Sequence, residues 1–114
     1  MLDLLALVFL LPQLPDYKRD IEPIWEKHCF DCHYSGVKIG SFELGTYDEL
    51  MQSGPNGPLV VTGKPRESRL YRMLSGDIEP TMPLGAEKLA AKELELIRLW
   101  IEAGAKGPAG RPTK

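Results

Sequence analysis

Cys29-Phe30-Asp31-Cys32-His33 is the stretch that decides the fold, because its C-x-x-C-H spacing is the attachment signature of c-type haem. Two thiols at this spacing can form thioethers with the two vinyl groups of one haem. The adjacent His33 is then held beside the iron and supplies its fifth ligand. Covalent attachment would retain a haem that so small a domain cannot enclose fully. The motif predicts one haem c, bound covalently through Cys29 and Cys32.

Two other kinds of site can use the same residues. A thioredoxin-like cysteine pair requires a βαβ setting, and this chain has little strand signal. A zinc site would need Cys29, Cys32, His28 and His33 as four tetrahedral ligands. Each histidine directly adjoins a cysteine, which places it poorly for completing a tetrahedron with both thiolates. A zinc or redox interaction module therefore stays open as the less favoured alternative.

Met82 is the predicted sixth ligand of the iron. It follows His33 by 49 residues and lies in a Pro-bounded loop before the last predicted helix. A methionine thioether stabilises ferrous iron and raises the reduction potential. Met51 and Met73 fall on predicted helices and are expected to pack in the core. His28 is the other candidate ligand, but its reach to the opposite haem face looks poor from the turn beside Cys29.

Length and charge limit the class of protein. The 114 residues suit one domain, and a net charge of −2 without a long basic run argues against nucleic-acid binding. The apolar run at 4–11 is too short to span a bilayer and resembles the core of an export signal. Asp3 stands where such a signal has a basic residue, and no A-x-A-like site follows. Residues 1–16 are nevertheless predicted to be an export signal or its remnant, which implies a periplasmic or otherwise exported protein with membrane contact only through this segment.

Apolar spacing and stop signals predict four helices, at about 20–29, 47–52, 65–76 and 90–103. Pro23 is tolerated only in the first turn of the first helix. The run 59–61 is expected to be extended. The last helix has a narrow polar face of Glu95, Arg98 and Glu102 and is expected to be largely buried. Trp25 and Trp100 are placed where the first and last helices cross.

Several ordered motifs surround C-x-x-C-H. They are Tyr17-x-x-x-Ile21-x-Pro23-Ile24-Trp25, Phe42-x-Leu44 with Thr46-Tyr47, Gly63-Lys64-Pro65-x-x-Ser68-x-Leu70, Met82-Pro83, and Glu93-x-x-x-Ile97-x-x-Trp100-Ile101-x-x-Gly104-Ala105. Together they resemble planctomycete-type cytochrome c domains, a branch of the class I cytochrome c family, over residues 17–106. The resemblance implies an all-α, small cytochrome c-like fold, with helices and loops wrapped around one haem.

The same resemblance implies that His33 lies below the iron and Met82 above it. It makes 17–106 the cytochrome domain and leaves 107–114 as a flexible tail. The chain departs from the family at Ala90, where a Ser or Thr usually caps the last helix. Such domains are also often fused to much larger partners, whereas this sequence ends soon after the domain.

The predicted function is single-electron transfer rather than enzyme catalysis. Both axial ligands would stay on the iron, and the partners would be redox proteins. One haem motif argues against a di-haem peroxidase. The alternative is a haem domain with an open distal site, acting as a redox or gas sensor or as the electron-delivery module of a larger enzyme.

Overall fold

A computed structural model describes residues 14–29, 47–54, 57–83 and 87–108 of the chain. Helices dominate these residues, which confirms the helical character expected from the sequence. The elements are a π-helical turn Tyr17–Ile21 leading into α1 (Glu22–His28), α2 (Tyr47–Met51), a 3-10 turn Pro65–Glu67, α3 (Arg69–Leu74) and α4 (Ala91–Glu102). Residues 1–13 of the predicted N-terminal segment 1–16 lie outside the described residues. No helix in the described ranges is long and apolar enough to cross a membrane.

The N-terminal helical segment starts at Tyr17, three residues earlier than predicted. Two aspartates explain the difference, because each binds a backbone N–H that the first turn leaves without a helical partner. The Asp16 carboxylate accepts from the Arg19 N–H at 2.9 Å, and the Asp20 carboxylate accepts from the Asp16 N–H at 2.8 Å. Pro23 then falls in the first turn of α1, as its missing N–H requires.

The N-terminal segment packs on α4 around aromatic side chains. Trp25 and Trp100 are both buried, as predicted for the crossing of the first and last helices. The Tyr17 ring lies 5.5 Å from the Trp100 ring, centroid to centroid, and 5.3 Å from the Tyr47 ring in an edge-to-face arrangement. This packing joins the residues before the C-x-x-C-H motif to the last helix of the chain.

The middle of the chain contains a small hairpin that the sequence did not indicate. β1 (Ser53–Gly54) pairs antiparallel with β2 (Gly57–Pro58), and Gly57 has a φ of 99°, which a residue with a side chain rarely adopts. The run 59–61 that follows forms no strand, and its Leu59 and Val60 side chains enter the core.

The predicted helix at 65–76 is interrupted at Ser68. This residue has extended backbone angles and separates the 3-10 turn from α3. Its hydroxyl is fully buried, accepts from the Val61 N–H at 2.8 Å, and lies 2.9 Å from the Lys64 carbonyl oxygen. The side chain therefore satisfies backbone groups of the preceding loop, at the cost of helix continuity.

α4 begins at Ala91 although Ala90 cannot cap it with a side chain. The Glu93 carboxylate instead accepts from the Ala90 N–H at 2.9 Å. The polar face is as predicted, since Arg98 donates to both Glu95 and Glu102. After α4 the Tyr47 hydroxyl donates to the Ala105 carbonyl at 2.8 Å.

The C-terminal residues return to the core before the described part of the chain ends. Gly107 is buried, and a side chain there would begin 2.7 Å from the Tyr47 ring. Of the predicted tail, only Gly107 and Pro108 belong to the described residues.

We expect Ser68→Ala to lower the free energy of unfolding by about 0.5–1.5 kcal/mol, because it leaves the half-buried Val61 N–H without its acceptor. Ser75→Ala is the matched control, since the Ser75 hydroxyl is exposed and contacts only the Arg72 carbonyl. Urea unfolding measures both variants. Equal stability of Ser68→Ala and the wild type would contradict a structural role for the hydroxyl.

Candidate haem site

Cys29 lies at the end of α1, where the chain leaves the N-terminal helix. Its N–H donates to the Trp25 carbonyl at 2.8 Å, which continues the helical hydrogen bonding by one residue. The side chain is half-buried and packs against the hydrophobic core. Cys32 and His33, the other two predicted haem-binding residues of the motif, lie outside the described residues. The structure thus positions the first residue of the motif on the core.

Met82 packs against the same core from the segment between α3 and α4. Its side chain is half-buried, and its N–H donates to the Met73 carbonyl at the end of α3 at 3.0 Å. Met73 is buried, and Met51 is half-buried against the core, which agrees with the packing roles predicted for both. Met82 thus differs from these two methionines in lying outside a helix, as expected of a ligand presented by a loop.

A cavity of about 390 Å³ lies next to the residue before Cys29 and the residue after Met82. Its lining includes His28, which precedes Cys29, and Pro83, which follows Met82. Neither Cys29 nor Met82 is among the residues that line this cavity. A half-buried cysteine and a half-buried thioether on the same core fit a haem that is tethered through sulfur and ligated by methionine. The described residues therefore suit the haem that the motif implies.

A buried donor lies one helical turn before Cys29. The indole N–H of Trp25 is buried and makes no hydrogen bond within the described part of the molecule. Burial raises the pKa of the nearby Tyr17 phenol well above its usual range, although the Trp25 indole acts in the opposite direction. The two groups are thus close enough to interact, but their geometry does not make a hydrogen bond.

His28 contacts the last helix. Its Nε2 lies 3.0 Å from Glu93 Oε1, and only 11% of the His28 side chain is exposed. Lys27 Nζ lies 3.3 Å from the other oxygen of the same carboxylate. Glu93 therefore joins the end of α1, immediately before Cys29, to the start of α4. The sequence gave no sign of this partner of His28, which lies 65 residues further along the chain.

The electrostatics of Glu93 follow from these contacts. Burial raises the pKa of the carboxyl, but hydrogen bonds from the Ala90 N–H, His28 and Lys27 outweigh it, so the pKa of Glu93 lies below its usual 4.5. A carboxyl whose pKa is lowered by folding stabilises the folded state above its unfolded pKa. That stabilisation is lost as the pH falls through the folded pKa.

Tyr47 and Tyr71 each carry a hydroxyl that can either bind a haem propionate or serve in ordinary packing. The Tyr47 hydroxyl donates to a backbone carbonyl in the core, which assigns it to packing. Tyr71 is half-buried against the core. A search of the described ranges for clusters of three or more His, Cys, Asp or Glu side chains able to hold a metal ion found none.

The family comparison agrees with the resemblance seen in the sequence. The model of the family Planctomycete cytochrome C matches residues 29–83, just under half of the chain. The match begins at Cys29 and ends one residue after Met82, so it includes all four predicted haem-binding residues. No curated protein and no solved structure is significantly similar to the chain.

We expect Glu93→Gln to destabilise the haem-loaded protein at pH 7 by about 1–2 kcal/mol, because it removes the charge that His28 and Lys27 bind. The difference from the wild type should shrink as the pH falls from 4.5 through the lower pKa of the folded state, because the wild-type carboxylate becomes protonated over that range. Urea unfolding at a series of pH values measures this. Glu26→Gln, an exposed change on α1, is the control. A difference that is the same at every pH would show that the charge of Glu93 is not responsible.

Proposed function

Because residues 29–83 match the model of the Planctomycete cytochrome C family, we propose that the chain is a mono-haem c-type cytochrome that transfers single electrons. One observation carries the proposal. The family match runs from Cys29 to just beyond Met82, and both of these side chains pack against one hydrophobic core. Cys29 and Cys32 attach the haem covalently, and His33 and Met82 are its axial ligands.

When bound, the haem iron supplies one-electron chemistry by cycling between the ferric and ferrous states. The chain's own residues keep this cycle free of other reactions. Cys29, at the end of α1, tethers the group to the N-terminal helix. Met82 provides a soft thioether, which favours the ferrous iron. Because both axial positions are filled by side chains, no substrate has access to the iron.

Electron transfer without catalysis fits this arrangement. We propose that the protein is not an enzyme and that it exchanges electrons with other redox proteins. Nothing in its charge or sequence indicates nucleic acid as a partner. Covalent haem attachment takes place outside the cytoplasm, and the apolar run at 4–11 resembles an export signal. We therefore place the protein in the periplasm or an equivalent exported compartment, with the N-terminal segment as its sole membrane contact.

Covalent attachment is tested by expressing the chain together with a haem-attachment system. We expect denaturing mass spectrometry of the periplasmic fraction to show the chain heavier by one haem. The double variant Cys29→Ala/Cys32→Ala should lack that added mass, because no thioether can form. Haem that extracts from the wild type into acidic organic solvent would contradict covalent attachment. Haem-loaded protein found only in the cytosol would contradict export.

Axial ligation by Met82 is tested by the reduction potential. We expect Met82→Ala to lower the potential by a substantial fraction of the roughly 0.8 V that axial ligands span, because the thioether favours ferrous iron. The reduced variant should also bind carbon monoxide at the open position. Met51→Leu and Met73→Leu are the matched controls and should keep the wild-type potential, since both side chains pack in the core. Fast binding of carbon monoxide to the reduced wild type would favour the alternative of an open distal site, a sensor or electron-delivery module.

A further inference from the structure

We propose that Lys88 is a positioning residue that holds the Met82 segment in place for ligation of the iron. This inference rests on the proposed function, since it concerns the sixth ligand of that haem. Lys88 lies six residues after Met82 and two residues before Ala90, the N-cap residue of α4. It is therefore placed to connect the loop that carries Met82 to the start of the last helix.

The ammonium group of Lys88 contacts the residues on both sides of Met82. Its Nζ donates to Thr81 Oγ1 at 3.1 Å and lies 3.4 Å from the Pro83 carbonyl oxygen. The contact with Thr81 has good hydrogen-bond distance, and the contact with Pro83 is longer and weaker. One side chain thus bridges the two neighbours of the predicted ligand.

Lys88 forms no ion pair within the described ranges. The contrast is Lys27, which lines the same cavity and binds the Glu93 carboxylate. A lysine on a protein surface usually has its ammonium in water or near a carboxylate. The donors of Lys88 are instead directed to a hydroxyl and a carbonyl of the Met82 segment, which points to a local structural role.

A second contact completes the attachment of this segment. The Met82 N–H donates to the Met73 carbonyl at the end of α3, on the other side of the loop. Met73 is itself buried, so this end of α3 is fixed in the core. The Met82 segment is therefore held by α3 through a backbone hydrogen bond and by the residue leading into α4 through Lys88.

Holding the segment has a measurable consequence for ligand exchange. An external base can bind the iron only if the Met82 thioether leaves it, and a fixed loop makes that departure less favourable. Removing the Lys88 hydrogen bonds should therefore strengthen the binding of an external base. The expected effect is about threefold to tenfold in the dissociation constant, the size of one net hydrogen bond.

The experiment is titration of the haem-loaded ferric protein with imidazole, followed by absorption. Lys88→Met removes the donors and keeps the length of the side chain, and Thr81→Val removes the stronger acceptor with little change in shape. Lys88→Arg and Thr81→Ser retain the hydrogen-bonding groups and should bind imidazole with the affinity of the wild type. Lys92→Met, an exposed lysine on α4 with no interaction in the described structure, is the matched control.

We expect Lys88→Met and Thr81→Val each to tighten imidazole binding, while Lys92→Met leaves it unchanged. The double variant should bind imidazole about as tightly as Lys88→Met alone, because both single changes break the same hydrogen bond. A loss of overall stability without tighter imidazole binding would overturn the positioning role. Unchanged imidazole binding in Lys88→Met would also overturn the positioning role. A wild type without methionine ligation would instead contradict the proposed function, and its own spectrum would show this before any variant is made.

Discussion

The packing of the N-terminal helical segment against α4 is the interaction on which the rest of the structure depends. Tyr17, Trp25 and Trp100 form its buried centre. Aromatic side chains of this size supply much of the apolar area that a domain this small can bury. Since Cys29 directly follows α1, this packing also decides where the haem-binding motif begins relative to the core.

Polar contacts extend the same interaction toward the site. Glu93 satisfies the Ala90 N–H at the start of α4 and binds His28 beside Cys29. On the other side of the cavity, Met82 is attached to α3 through the Met73 carbonyl. The backbone beside Cys29 is therefore attached to α4 through His28, and the backbone of Met82 is attached to α3. Such support is what a metal ligand requires if its position is to stay the same in both oxidation states.

Much of this arrangement could be predicted from the sequence, because the decisive patterns are local. Apolar spacing located α1 and α4, and the polar face around Arg98 was correct. The missed features depend on contacts that periodicity does not encode. The early start at Tyr17 comes from paired aspartates, and the interruption at Ser68 comes from a hydroxyl that satisfies a neighbouring loop.

The candidate site, like the fold, was predicted from the sequence only in part. The C-x-x-C-H spacing and the Pro-bounded loop around Met82 identified candidate ligands, because the chemistry needs those residue types at those places. The partners of His28 and Lys88 could not be predicted, since each contact forms only when separate parts of the chain are brought together by the fold. The sequence has no Ser or Thr cap at Ala90, and it did not indicate that Glu93 binds both the Ala90 N–H and His28.

The absorption spectrum of the ferric protein, prepared with covalently attached haem, tests the central claim most directly. The account predicts a six-coordinate, low-spin spectrum with the charge-transfer band of a sulfur-to-iron bond, because Met82 and His33 occupy the two axial positions. A high-spin spectrum without that band would contradict it, since it would show that the loop held between α3 and α4 does not place Met82 on the iron.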